Sequence, residues 1–218
     1  RAVGAQGLSC PNCGAALAPT LASTLSIACG QCHAVVDISQ GAGADLTHYA
    51  QSNSGPGGLT PQIPLGRTGR LALGAEGPLD WQVVGYQERC DLPAPDDEDE
   101  TQTFWREYLL YHRTAGFAFL VDAEDGWSWM RPLTGAPVAR GSGATWEGVE
   151  FRERYRYEAK VTWVQGEFYW RVQREERAQV TDYDGRSGTL LSREQTTNEV
   201  TWSLGRKLDV NTIATAFR

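Results

Sequence analysis

Two Cys-x-x-Cys pairs near the start of the chain constrain its fold more than any other feature. The cysteines are Cys10, Cys13, Cys29 and Cys32, and fifteen residues separate the two pairs. Two residues between thiolates allow a tight turn to aim both sulfurs at one tetrahedral ion, and two such turns around a short hairpin form a zinc ribbon. The spacing therefore predicts one structural zinc ion per chain, bound by these four thiolates.

The residues around the cysteines favour a metal-dependent fold. We expect Gly14 and Gly30 to fill the positive-φ positions of the two turns. Residues 1–38 hold too few large apolar side chains to fold about 40 residues by burial alone, whereas structural zinc contributes on the order of 10–16 kcal/mol. We predict a zinc ribbon over 1–38 and a Gly- and Ser-rich linker over 39–60, with one helical turn near 45–51.

Other uses of the cysteines stay open at this point. Cys29-Gly-Gln-Cys32-His33 also matches the attachment string of c-type haem, which would leave Cys10 and Cys13 without a role. A redox dithiol would normally precede a helix in a βαβ unit, and no such pattern is visible. Disulfides would suit an exported chain, but no export signal is visible. His33 could replace one cysteine as ligand, although four thiolates already complete a tetrahedron.

From residue 61 onward the apolar residues recur with a period of two. This period indicates antiparallel strands with one packed face and one wet face. The clearest run spans 149–163, where apolar side chains occupy one face except at Glu153, and there we expect a bend or bulge. The sequence therefore predicts a mainly β body over 61–218, an antiparallel sheet with a barrel-like form.

Turn and cap residues divide this body further. Asp125-Gly126 predicts a hairpin turn, and Gln165-Gly166 predicts a second one that leads into a strand over 168–172. Asp209 can N-cap a short C-terminal helix that ends near Phe217.

A repeated spacing raises the hypothesis of two related β halves, 61–140 and 145–218. Gly77-x-x-x-Trp81-x-Val83 and Gly166-x-x-x-Trp170-x-Val172 share the same pattern of residues. A recurring pattern at a large offset is typical of internal duplication.

The sequence contains no catalytic signature. It has no Gly-x-Ser-x-Gly, no phosphate-binding Gly-Lys-Ser/Thr and no His-Glu-x-x-His string. Glu107 is one candidate site carboxylate, but an outward-facing strand residue is the favoured interpretation. The many Trp and Tyr residues most simply fill a β core, and the alternative is that some line an aromatic groove for a ligand. We therefore predict no catalytic residues.

Charge is concentrated in one acidic run. The formal net charge is -7, and five of these charges come from consecutive residues. The run consists of Asp96, Asp97, Glu98, Asp99 and Glu100. A solvated hairpin tip is the simplest interpretation, and the alternative is a loop that attracts a cationic partner, such as a basic protein surface or a polyamine.

Two classes of partner are excluded at this level. Residues 2–38 contain no Lys or Arg, which argues against contact between the ribbon and nucleic acid. No stretch approaches eighteen apolar residues, so we expect no transmembrane helix and a cytoplasmic location.

A series of short motifs follows the Cys-Pro-x-Cys-Gly ribbon. The motifs are Ile63-Pro-Leu-Gly-Arg67, Trp81-Gln-Val-Val-Gly85, Trp105-Arg-Glu-Tyr-Leu-Leu110, Gly166-Glu-Phe-Tyr-Trp170, Leu191-Ser-Arg-Glu194 and Val200-Thr-Trp-Ser203. Over nearly the whole chain this series resembles the bacterial domain-of-unknown-function family 4178. The resemblance implies no activity. It implies a genomic context beside membrane-stress proteins of the phage-shock protein A type, predicted membrane proteins and spermidine-synthase-like enzymes.

These observations predict a non-enzymatic zinc-ribbon module that binds protein partners, as an accessory factor in a membrane-stress or defence system. The alternative is a small-ligand binding protein or enzyme, for a polyamine or another cation, that uses an aromatic pocket in the β body. A pocket with convergent polar groups and a perturbed carboxylate would favour that alternative.

Overall fold

The structure is a computed structural model that describes residues 7–41, 45–51, 60–96 and 101–218. The five strands of the N-terminal segment are β1 (Leu8–Ser9), β2 (Ala16–Leu17), β3 (Ser26–Ala28), β4 (Val35–Asp37) and β5 (His48–Tyr49). The next strands are β6 (Thr68–Ala72), β7 (Pro78–Leu92), β8 (Phe104–His112), β9 (Gly116–Ala123), β10 (Gly126–Pro132), β11 (Val138–Arg140) and β12 (Gly143–Trp146). The chain continues with β13 (Val149–Phe168), β14 (Arg177–Asp184), β15 (Thr189–Gln195), β16 (Val200–Leu208) and the helix α1 (Val210–Ala216).

Eight antiparallel strands close into a barrel. Strands β7 to β10 form one four-stranded meander, and β13 to β16 form a second. The two meanders join where β10 pairs with β16 and where β13 pairs with β7. Each barrel strand thus has a hydrogen-bonded neighbour on both sides, which removes open sheet edges. The predicted mainly β, barrel-like body with a short C-terminal helix is confirmed.

The two meanders fall within the two predicted halves, but the repeated motif does not mark equivalent positions. Trp81 lies in the first strand of its meander, β7, and is buried. Trp170 lies in a bend beyond the end of β13. The shared spacing is therefore no structural repeat.

The long strand β13 changes face at two bulges. Its pairing register shifts between Glu153 and Tyr155 and again between Val161 and Trp163. The first shift is the irregularity predicted near Glu153, which is confirmed. The expectation that the apolar residues of 149–163 share one face is wrong, because each bulge moves the following side chains to the opposite side of the strand.

Gln165-Gly166 does not turn the chain. Strand β13 runs through both residues to Phe168, and the strand predicted over 168–172 does not form. Gly166 has a φ of 82°, and a Cβ there would lie 2.3 Å from the carbonyl oxygen of Val84 on β7. The glycine therefore permits the close approach of β13 and β7 instead of a chain reversal. The turn at Asp125-Gly126 is confirmed between β9 and β10.

The largest buried cluster lies on the outer face of the first meander. It includes Trp81, Tyr108 and Leu120 from the barrel strands, together with Ile213 of α1. The Asp209 side chain accepts a hydrogen bond from the backbone N–H of Asn211 at 2.7 Å, so the predicted N-cap is confirmed. The cap ends the helix at its N-terminus, and Ile213 packs the helix against the barrel wall.

Gly166→Ala tests the close approach that closes the barrel. The positive φ alone costs roughly 1–2 kcal/mol for a residue with a Cβ, and the contact with Val84 adds roughly 1–3 kcal/mol of overpacking. Chemical denaturation measures the free energy of unfolding. Gly148→Ala is the matched control, because Gly148 has a φ of 78° and a Cβ there meets nothing within 4 Å. An equal decrease in the free energy of unfolding in the two variants would contradict the role of the contact between position 166 and Val84.

Candidate metal centre and barrel interior

The two Cys-x-x-Cys pairs adopt the same tight turn. The backbone N–H of Gly14 donates to the Cys10 carbonyl oxygen at 2.8 Å, and that of His33 donates to the Cys29 carbonyl oxygen at 2.9 Å. The residue after each second cysteine has a positive φ, 77° at Gly14 and 63° at His33. The prediction is thus confirmed for Gly14 and wrong for Gly30, because the turn places its left-handed residue one position after the pair.

The four cysteine sulfurs form one compact cluster. The Sγ atoms of Cys10 and Cys32 are 3.6 Å apart, those of Cys13 and Cys29 are 3.7 Å apart, and no disulfide joins them. Thiolates about 2.3 Å from a tetrahedral ion lie about 3.8 Å from one another, so these separations fit a single metal ion. The cluster can therefore hold a metal, with four ligands from the chain.

Local hydrogen bonds favour a thiolate in this cluster. A hydrogen bond from the side chain of Asn12, together with one from the backbone of Ala34, lowers the pKa of Cys32 to about 6. Burial raises the pKa of Cys10 in the same cluster, so the shift toward the thiolate, the form that binds metal, falls on Cys32. The His33 ring does not belong to the cluster. It packs against the indole of Trp163, with 5.4 Å between ring centroids.

The cysteine-containing segment is bound directly to the barrel. Strand β3 pairs with the end of β13, and β4 and β5 extend that sheet. The helical turn expected near 45–51 is therefore wrong, because His48–Tyr49 forms a strand against β4.

One buried carboxylate fixes this attachment. Glu167 of β13 accepts hydrogen bonds from the backbone N–H of Thr20 at 2.9 Å and from the Thr24 hydroxyl at 2.6 Å. It also accepts one from the Thr20 hydroxyl. The carboxylate thus holds the loop between β2 and β3 on the barrel wall.

The acidic run lies mostly outside the described residues. Asp96 is described and exposed, after the end of β7. The other four members, Asp97, Glu98, Asp99 and Glu100, lie outside the described residues. That the acidic run forms a loop which attracts a cationic partner therefore stays a prediction.

A charged cluster inside the barrel was missed by the sequence reasoning. Glu107, which was expected to face outward, is 8% exposed and faces the barrel interior. Arg89 donates to Glu107 at 3.1 Å and to Glu194 at 2.6 Å. Since β7 and β15 are not neighbours in the barrel, the bond between Arg89 and Glu194 spans the interior.

A signal for the buried Glu107 was present in the sequence. Glu107 alternates in phase with Trp105 and Leu109, so all three side chains share one face of β8. A carboxylate on a strand usually faces water, and the outward prediction for Glu107 followed that rule. A carboxylate can be buried where a guanidinium and an indole N–H donate hydrogen bonds to it. The indole Nε1–H of Trp105 donates to Glu107 at 2.8 Å.

These features define the class of protein, an eight-stranded antiparallel β-barrel that carries a four-cysteine cluster able to hold a metal. The model of a domain of unknown function, DUF4178, matches residues 77–210, and the chain belongs to that family. The match covers the barrel, and the cysteine cluster precedes it. No curated protein and no solved structure matches the chain. Among the described residues, no helix is both long enough and apolar enough to cross a membrane.

Glu167→Ala is expected to release the cysteine-containing segment from the barrel. Four donors lose their acceptor: the backbone N–H groups of Thr20 and Leu21 and the hydroxyls of Thr20 and Thr24. The Thr24 hydroxyl is buried, so we expect a loss of about 2–4 kcal/mol in local stability. Amide hydrogen exchange measures this as faster exchange over 16–37, while the barrel amides stay protected. Glu158→Ala is the control, because Glu158 on the same strand makes only a partly exposed ion pair with Arg177. Unchanged protection over 16–37 would refute the anchoring role.

Proposed function

We propose that the four cysteines bind one structural zinc ion. Four thiolates at tetrahedral spacing are a ligand set that zinc prefers. Four ligands from the chain leave no open position for water or substrate, so the ion supplies stability to the N-terminal segment and no catalytic step. The apolar cluster beside the cysteines supports this role, because its large members are few: Leu17, Ile27, Val36 and Ile38.

Metal analysis of the purified chain tests the zinc proposal. We expect one zinc per chain, and we expect Cys29→Ser to lose it, because three ligands bind far more weakly than four. Cobalt substitution should give the intense charge-transfer absorption of a tetrahedral thiolate site. Cys90→Ala is the matched control, since Cys90 is buried in β7 and lies outside the cluster. Iron in place of zinc, or zinc retained by Cys29→Ser, would contradict the proposal.

We propose further that the chain is a non-enzymatic module that binds a protein partner. The observation that supports this is an open groove of about 500 Å³ between the cysteine-containing segment and the barrel. Its lining includes Ala18 and Thr20 from the segment and Leu65, Gln82 and Gln165 from the body. Leu65 is 41% exposed there, which offers an apolar contact. A mixed apolar and polar groove of this kind suits an extended peptide of a partner.

The reactive side chains in the groove already have structural roles. Cys29 belongs to the metal cluster, His33 packs against Trp163, and Glu167 accepts hydrogen bonds from the Thr20 loop. No nucleophile paired with a base occurs among the described residues that line the groove. This arrangement supports binding over catalysis.

The cellular setting that we propose is an accessory role in a membrane-stress or defence system in the cytoplasm. It rests on the genomic context that the family resemblance implies. The absence of Lys and Arg from residues 2–38 favours a protein partner over nucleic acid.

Leu65→Glu tests the groove as the partner site. A buried leucine contributes about 1.5–3 kcal/mol to a contact, so the substitution should reduce partner capture from the native host more than tenfold. Val138→Glu is the matched control, because Val138 is also an exposed apolar residue, on β11 and away from the groove. Mass spectrometry should identify one protein that both wild type and Val138→Glu enrich. A partner that Leu65→Glu retains would argue against the groove.

A second candidate function is the binding of a small ligand inside the barrel. The observation that favours it is the inward-facing cluster of Arg89, Glu107 and Glu194, which lies in an interior with aromatic walls.

A further inference from the structure

One side of the barrel interior is more accessible than the outer wall. Successive side chains of β9 alternate between the two faces, and the outward-facing Ala118 and Leu120 are both 0% exposed within the cluster that includes α1. The inward-facing Phe117, Phe119 and Val121 are only half-buried. In a barrel whose interior is filled by side chains, the inward-facing residues would have the smallest exposed fractions. An eight-stranded barrel is wide enough to hold one small ligand, and these half-buried side chains mark the side from which a ligand would reach the interior.

Aromatic rings line the accessible side. Phe117 lies 5.2 Å from Tyr111 and 4.4 Å from Tyr169, and Phe119 lies 5.9 Å from Trp170, measured between ring centroids. All five rings are half-buried. Tyr169 and Trp170 follow the end of β13, so the connection to β14 closes this part of the interior with aromatic faces.

Two buried polar atoms face the interior without a partner. Gln87 and Arg89 point inward from β7, and each is 6% exposed. The amide nitrogen of Gln87 donates to Glu107, which leaves the amide oxygen unpaired, and the Nε–H of Arg89 is unpaired as well. Buried polar atoms are nearly always hydrogen-bonded, and a donor placed beside Gln87 would satisfy its amide oxygen. The Nε–H of Arg89 needs an acceptor, which an ammonium does not supply.

Carboxylates outnumber cations around these atoms. Glu107 and Glu194 share the guanidinium of Arg89. Asp182 faces the same interior from β14, and burial raises its pKa. The charges of Glu107 and Glu194 together exceed the single charge of Arg89, which favours a positively charged ligand in the interior.

We propose that the barrel interior binds a small organic cation, a protonated amine that carries an apolar group. This inference rests on the second function proposed above and adds the chemical class of the ligand. The ammonium lies next to Glu194, whose side chain keeps 36% exposure and so reaches the accessible space. The amide oxygen of Gln87 accepts from the ligand, and the apolar group packs against the rings of Phe117 and Phe119. Aromatic faces attract cations as well as apolar groups, so one wall serves both parts of the ligand.

Nuclear magnetic resonance of the full chain tests the proposal with two probes of equal shape. Benzylammonium carries the charge, and benzyl alcohol is its neutral match. We expect benzylammonium to shift the amides of 117–121 and 128–130 in a saturable manner, and to bind at least about tenfold more tightly than benzyl alcohol. Shifts confined to β6 and α1, which cover the outside of the barrel, would overturn the proposal.

Glu194→Gln removes one interior charge and keeps a side-chain oxygen that can accept from Arg89. It should weaken benzylammonium binding about tenfold and leave benzyl alcohol unchanged. Glu158→Gln is the control, because Glu158 faces outward on β13, and it should change neither. A thermal melt verifies that both variants are folded.

The possible results separate the inference from the function on which it rests. Equal affinity for the two probes overturns the cation assignment and retains a small-ligand site. No saturable shift with either probe overturns both. Benzylammonium binding that Glu194→Gln does not weaken also overturns the cation site as proposed.

Discussion

The pairing of β13 with β7 is the interaction on which the rest of the structure depends. It joins the two meanders and closes the barrel, and it requires two glycines at the contact. A Cβ at Gly85 would lie 2.7 Å from the carbonyl oxygen of Glu167, and a Cβ at Gly166 would lie even closer to β7. Because β13 extends past this contact to Phe168, its last residues remain available to pair with β3. The same strand therefore closes the barrel and holds the cysteine-containing segment.

Local patterns were sufficient to predict several elements of the fold. The Cys-x-x-Cys spacing, the alternation of apolar residues and the cap at Asp209 each depend on residues close together in the chain. The role of Gly166 was not predictable in this way, because a Gln-Gly pair resembles a turn until β7 is known to lie beside it. The charged cluster around Glu107 also depends on the closed barrel. Glu107 and Glu194, which are 87 positions apart in the sequence, share the guanidinium of Arg89 only when the barrel closes.

The charged residues inside the barrel contribute little net free energy to its stability. Burying an ion pair costs about as much as its attraction returns, and an apolar replacement of similar size is often as stable. The outer face of the first meander shows that this chain can build an apolar core, since Trp81, Tyr108 and Leu120 pack there almost completely buried. The two faces of the same strands therefore differ: the outer face packs as an apolar core, and the inner face carries charged residues.

Barrel closure also has a consequence for how this family can diverge. The matched range begins one residue before β7 and ends at the first residue of α1, so it coincides with the closed circuit of strands. Within that circuit each strand has a neighbour on both sides, while the start of β7 also pairs with β6 and the end of β13 pairs with β3. Changes outside the circuit therefore uncover only these short stretches of strand edge. The cysteine-containing segment lies before the matched range and pairs with the circuit at the end of β13, so variation in this segment between family members would alter only that short edge.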